Sequence, residues 1–94
     1  MQLARVVSTD GVSEDRINQQ VELMKERGRP DELAATEIVV LHDAEAQEAR
    51  VILFFDSVED YRRGDEVLNA MSAGETPGRR TGVARYRVAI RMTD

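Results

Sequence analysis

The chain has no cysteine and no tryptophan, and only one histidine and one lysine among its 94 residues. Without cysteine there is no disulfide, no thiolate nucleophile and no sulfur-ligated zinc or iron–sulfur cluster. One histidine with scattered carboxylates gives no metal-ligand spacing, so neither a metal nor another cofactor is expected. No apolar run approaches the roughly 20 residues of a membrane span, and no leader pattern opens the sequence. Acidic residues outnumber basic ones, 18 to 13, for a net charge of −5. With no basic stripe interleaved with aromatics, nucleic acid is not an expected partner. There is no glycine-rich phosphate loop and no nucleophile elbow. Twelve arginines to one lysine hint at a GC-rich genome, and the lack of cysteine is compatible with a bacterial, cytoplasmic protein.

What remains is a pattern of short apolar runs in one domain, residues 1–94. Gln2–Ser8 reads as a strand, and Thr9-Asp10-Gly11 as a turn. Ser13 can cap a helix whose first turn carries Glu14 and Asp15, where the positive end of the helix dipole favours them. Ile17, Val21 and Met24 form one helical stripe, Gly28 suits a left-handed stop, and Pro30 cannot continue the helix. Thr36–His42 and Arg50–Phe55 are strands joined by the short polar loop Asp43–Glu48. A second helix is predicted over Val58–Met71, with Ser57 as its cap and Tyr61, Gly64, Leu68 and Met71 on one face. Ser72–Gly82 reads as a loop, and Val83–Met92 as a long final strand alternating Tyr86, Val88, Ile90 and Met92 against Arg85, Arg87, Ala89 and Arg91.

Strand–helix–strand, twice, with right-handed crossovers, gives an α+β fold of the ferredoxin-like βαββαβ type. Its four-stranded antiparallel sheet carries both helices on one face. Ile38–Leu41 and Val51–Phe55 are apolar at every position and do not alternate, so both faces of these strands should be buried. Two helices cover one face only. The other calls for a second protein surface, most simply another copy of the chain.

The element order, the doubly apolar strands, the run Phe54-Phe55-Asp56-Ser57-Val58-Glu59-Asp60-Tyr61 and the final strand Ala84–Arg91 resemble the dimeric α+β barrel superfamily, that of the antibiotic-biosynthesis-monooxygenase-like proteins. The resemblance implies a homodimer packed sheet to sheet, with a pocket between sheet and helices in each protomer. It also brings in cofactor-free monooxygenases, haem-degrading enzymes and isomerases. This chain lacks the tryptophan that several cofactor-free oxygenases use and the second-helix histidine that serves haem-degrading members as axial ligand.

The candidate site residues each have two readings. His42 is either an acid–base group at the pocket mouth or an inert strand-end histidine. Tyr61 and Tyr86 either line the pocket with a phenol pointing in or simply pack. Gly64 either opens space for a ligand or lets helix and sheet approach closely. Arg79 and Arg80 either hold a carboxylate or phosphate or are solvated in a loop. Arg85, Arg87 and Arg91 should face the partner or the barrel rim if the helices cover Tyr86. Asn18 adjoins the first helical stripe and either reaches a pocket or stays at the surface. The expected ligand-binding set is Tyr61, Tyr86 and His42, with both phenols looking into one interior layer and His42 at the pocket mouth. The expected function is a small homodimer binding an apolar or aromatic ligand between sheet and helices. The alternatives are a cofactor-independent monooxygenase or isomerase, and a dimerisation module without ligand.

Overall fold

The computed structural model describes residues 2–28, 33–70 and 79–93. The chain order is β1 (Leu3–Asp10), α1 (Glu14–Arg27), β2 (Glu37–Asp43), β3 (Glu48–Phe55), α2 (Val58–Ala70) and β4 (Arg79–Arg87). The strands form one antiparallel sheet in the order β2-β3-β1-β4. This is the ferredoxin-like arrangement expected from the sequence.

Local signals set the helix ends. The Ser13 hydroxyl accepts the Arg16 N–H at 3.2 Å, and Ser57 does the same for Asp60 at 3.1 Å. Each satisfies an amide that has no partner within its helix. Gly28 closes α1 at φ 69°, donating its N–H to the Met24 carbonyl at 2.9 Å. The loop between β2 and β3 is held by Asp43, whose carboxylate accepts the N–H groups of Glu45 and Ala46 at 3.1 Å each.

The register sorts the residues onto two faces. Leu3, Arg5, Val7 and Thr9 of β1 lie opposite Phe55, Leu53, Val51 and Ala49 of β3. Ile38, Val40 and His42 of β2 continue the same face. The helices cover it. Leu3, Leu33, Ala35, Leu53, Phe55 and Tyr61 form the main core, and Val12, Ile17 and Ala49 a smaller one beneath α1. The Phe55 and Tyr61 rings meet edge to face, with centroids 5.5 Å apart. α2 comes so close to β3 that a Cβ on Gly64 would stand 2.5 Å from the Phe55 ring. Close approach is therefore what this glycine serves.

The other face carries Val6, Val39, Leu41, Ile52, Phe54, Ala84 and Tyr86 in adjoining register. Among the described residues no helix lies over it. Leu41 and Tyr86 are respectively 50% and 58% exposed. Within one chain β3 buries Leu53 and Phe55 on the helix face, while Ile38, Val39 and Val40 of β2 and Ile52 of β3 are only half-buried.

Three strands differ from expectation by two residues or more at an end, and β2 by one residue. β1 and β3 are longer, running to Asp10 and starting at Glu48. The final strand is displaced: it starts at Arg79, inside the expected loop, and ends at Arg87 rather than Met92. The long β1 provides ladder partners for Arg79 and Arg80, so these arginines sit in a strand. The register then puts Tyr86 opposite Ala4 on the open face and Arg85 opposite Arg5 on the helix face. This inverts the expected assignment of the two faces of β4. Met71, the expected end of α2, and residues 72–78 of the expected loop lie outside the described residues.

Candidate functional site

Arg5 sits in the middle of β1, between Leu3 and Val7 on the helix face, with β3 on one side, β4 on the other and α2 above. It is 1% exposed. A guanidinium removed from water in this way needs charge and hydrogen-bond partners, and α2 supplies them. Arg5 Nε donates to Asp65 Oδ1 at 2.8 Å, and Nη2 donates to Asn69 Oδ1 at 3.2 Å. Asp65 and Asn69 are one helical turn apart, and the Asn69 amide donates back to the second Asp65 oxygen at 3.4 Å. Arg80 Nη2 joins from β4, donating to the same Asn69 Oδ1 at 3.3 Å. Arg85 completes the group, its guanidinium carbon 5.8 Å from the Tyr61 ring centre.

Tyr61, Asp65 and Asn69 follow each other at i, i+4 and i+8 along α2, forming one ridge above the sheet. Burial raises the Tyr61 phenol above its ordinary value; nearby Asp65 adds to the rise, and Arg5 and Arg85 partly oppose it. The phenol is therefore neutral through the physiological range. It can donate a hydrogen bond but does not act as a base there.

A β-bulge aims Arg80 at this ridge. Ser8 pairs with Gly82, but the next residue, Thr9, pairs with Arg80, leaving Thr81 as the extra residue. Bulges re-aim side chains in this way. With an unbroken ladder Arg80 would face the open side.

The expected set of Tyr61, Tyr86 and His42 does not converge. Tyr61 lies in the helix-side layer, as expected. Tyr86 is on the opposite face of the sheet, because the β1–β4 register sets it against Ala4. His42 is on the helix face but at the far end of the sheet, opposite Ala49. Ala49 and Phe55, on which Tyr61 packs, are separated by about 20 Å of strand. The His42 ring is half-buried, with Nε2 2.8 Å from the Val12 carbonyl, a contact that needs a proton on Nε2. That bond ties β2 to the segment before α1.

Asn18 is exposed on α1 and lines a shallow surface depression there. Arg79 faces the open side, 3.4 Å from Asp10. Arg91 also reaches the open face, pairing with Glu37 at 2.9 Å and lying 4.3 Å from the Phe54 ring centre. A concavity of about 360 Å³ lies at the bulged end of the sheet, lined in part by Thr9, Glu48 and Thr81. Among the described residues no cluster of histidine or carboxylate side chains could hold a metal ion, and no helix is long and apolar enough to cross a membrane.

Sequence reasoning missed Arg5, Asp65 and Asn69. The signal was present: Arg5 shares the period-two face of Leu3 and Val7, and Asp65 and Asn69 continue the helical spacing from Tyr61.

No protein-family model and no curated protein matches the chain. Its fold is similar to that in the crystal structure of a candidate antibiotic biosynthesis monooxygenase from Chloroflexus aurantiacus J-10-fl, with a TM-score of 0.57 and 9% sequence identity. The match covers 92% of this chain and 91% of that one. At this identity the likeness is one of fold.

Proposed function

We propose that the chain is one subunit of a homodimer joined through the open face of its sheet, with a small-molecule site on the helix side of each subunit beside Tyr61. The observation that carries the dimer is the uncovered apolar face. Val6, Val39 and Ile52 lie at its centre, Phe54 lies towards one end under the Arg91 guanidinium, and Arg50, Asp43 and Glu37 lie around its edge. An apolar centre inside a polar rim is the composition of a protein interface. A four-stranded face of this length measures roughly 19 by 23 Å. Covering it in both copies would bury roughly 900 Å² of projected area in total, more once side-chain relief is counted, which lies at the low end of specific protein interfaces. The small-molecule part rests on the polar groups gathered around Tyr61, and no cofactor belongs to it.

Native mass spectrometry of the purified protein tests both parts together. The expected result is twice the 10.6 kDa chain mass plus a small co-purified molecule. A dimer of bare chain mass would favour an interaction module without ligand, and a monomer would end the proposal.

A second reading, from the resemblance in sequence pattern, is a cofactor-independent monooxygenase or isomerase; the fold neighbour is itself described as a candidate antibiotic biosynthesis monooxygenase. In that reading the neutral, buried Tyr61 phenol would be the proton donor to substrate. Substrate-dependent oxygen uptake across a panel of polyphenols, lost in Tyr61→Phe, would support the monooxygenase.

A further inference from the structure

We infer that Arg80 and Arg85 form an anion-recognition site on the helix face of β4, which selects small molecules carrying a carboxylate or phosphate group. This inference rests on the small-molecule reading above and names the chemistry of that ligand.

Three guanidinium groups, from Arg5, Arg80 and Arg85, meet the ridge of α2. The carboxylate in this network, Asp65, is already engaged by the buried Arg5 at 2.8 Å. Arg80 and Arg85 are exposed, and among the described residues their partners are neutral: the Asn69 amide oxygen at 3.3 Å and the Tyr61 ring at 5.8 Å. The first contact is weaker than a charge-assisted bond to a carboxylate, and the second lies at the outer limit of a cation–π interaction. The excess of positive charge is local, since the chain as a whole carries −5.

The backbone supports the assignment independently. The bulge at Thr81 turns Arg80 onto the same face as Arg85. Val83 stands between them on that face, itself exposed. Arg80 and Arg85 are about 13 Å apart along the strand, counting the bulge as one step. Two long side chains can therefore close over Val83 from either side. An anionic group held there meets two planar donors, and an apolar body lies against Val83 and the edge of Tyr61. Arg5, Asp65 and Asn69 are positioning residues: the Arg5–Asp65 pair fixes α2 over β1, and Asn69 accepts from the Arg80 guanidinium at 3.3 Å.

The test uses the full chain, labelled with nitrogen-15, titrated separately with benzoate, the neutral analogue benzyl alcohol, and inorganic phosphate. The readouts are the amide resonances of Asp65–Ala70 and Thr81–Arg85. Benzoate should shift them saturably, and benzyl alcohol should bind at least about tenfold more weakly. The double variant Arg80→Gln/Arg85→Gln should lose benzoate affinity by a similar factor. Both side chains are exposed, so its spectrum should otherwise keep its dispersion. Phosphate shifting the same amides would extend the site to phosphate esters, and benzoate acting alone would restrict it to carboxylates; both support the inference. Equal affinity for benzoate and benzyl alcohol would overturn it while leaving the small-molecule reading intact. Benzoate binding unchanged in the double variant would overturn it too. Silence from all three probes would overturn the inference and count against the ligand reading as well.

Discussion

Gly64 lies inside α2, where replacing glycine with alanine ordinarily stabilises a helix by about 1 kcal/mol. Here we predict the opposite sign. An alanine Cβ would stand 2.5 Å from Cε1 and Cζ of Phe55 and 3.3 Å from Cδ1 of Leu33. Carbon atoms in contact prefer about 3.5–4.0 Å, so something must move by roughly 1 Å. The Phe55 ring is fully buried, in the middle of the core, with Tyr61 against its edge. It has no solvent side to retreat to, so α2 must lift from the sheet and loosen Tyr61 and Leu68. Overpacking of this kind costs about 1–3 kcal/mol, and the severity of the overlap places it towards the upper end. After subtracting the propensity gain, Gly64→Ala should destabilise the protein by about 1–2 kcal/mol. Urea denaturation at one fixed protein concentration reads this as a midpoint lowered by about 1 M. Combining it with Phe55→Leu, which removes the obstructing ring atoms, should cost less than the two single changes added together. A midpoint raised by Gly64→Ala would refute the close helix–sheet contact and return Gly64 to the role of opening space for a ligand.

Ser57→Ala removes the acceptor for the Asp60 N–H and should cost about 1 kcal/mol; a denaturation midpoint unchanged within error would contradict the cap. Asp65→Ala leaves the buried Arg5 without its carboxylate and should cost about 2–3 kcal/mol. Arg5→Met should cost less, because Asp65 is 37% exposed and can turn to water; thermal unfolding of the pair should rank them in that order. The raised Tyr61 phenol gives a pH signature. The folded state holds this proton more tightly than the unfolded chain, so the stabilisation is complete below the ordinary tyrosine value of 10.0 and is lost as pH rises through the folded value. Denaturation midpoints followed from about pH 8 to about pH 11 should fall more steeply in the wild type than in Tyr61→Phe. Parallel curves would show that the phenol is not differentially buried.

The fold was legible because its signals are local and repeated. Ser13, Gly28 and Ser57 mark helix ends through hydrogen bonds a few residues long, and the unbroken apolar runs in β2 and β3 mark a central sheet. The end of the chain was harder to read. Gly82 carries a loop signal, yet it sits in a strand beside a bulge, where β1 extends far enough to pair with it. That one-residue irregularity shifts the strand start and decides which side Arg80 faces. The face of Tyr86 is likewise a matter of register against β1. Alternation within β4 shows that Tyr86 and Arg85 lie on opposite faces, but not which of them meets the helices. Hydrophobicity alone places the tyrosine side in the interior, and the buried Arg5 explains why the structure does not. Arg5 lies beside Arg85 in register, so the helix face at this point is polar, neutralised in part by Asp65 from a helix 60 residues away. Such a pairing joins two distant segments, and no local pattern encodes it.

What covers the open face of the sheet decides whether the protein is a dimer. Ile52 is its most direct probe, because it lies opposite Val6 on one side and Val39 on the other, at the centre of that face. It takes no part in the helix-side core, so Ile52→Asp should leave the subunit fold intact. Sedimentation equilibrium at micromolar concentration should give twice the 10.6 kDa chain mass for the wild type and the mass of a single chain for Ile52→Asp. A wild type that sediments as a single chain, or an Ile52→Asp variant that stays dimeric, would contradict an interface built on this face.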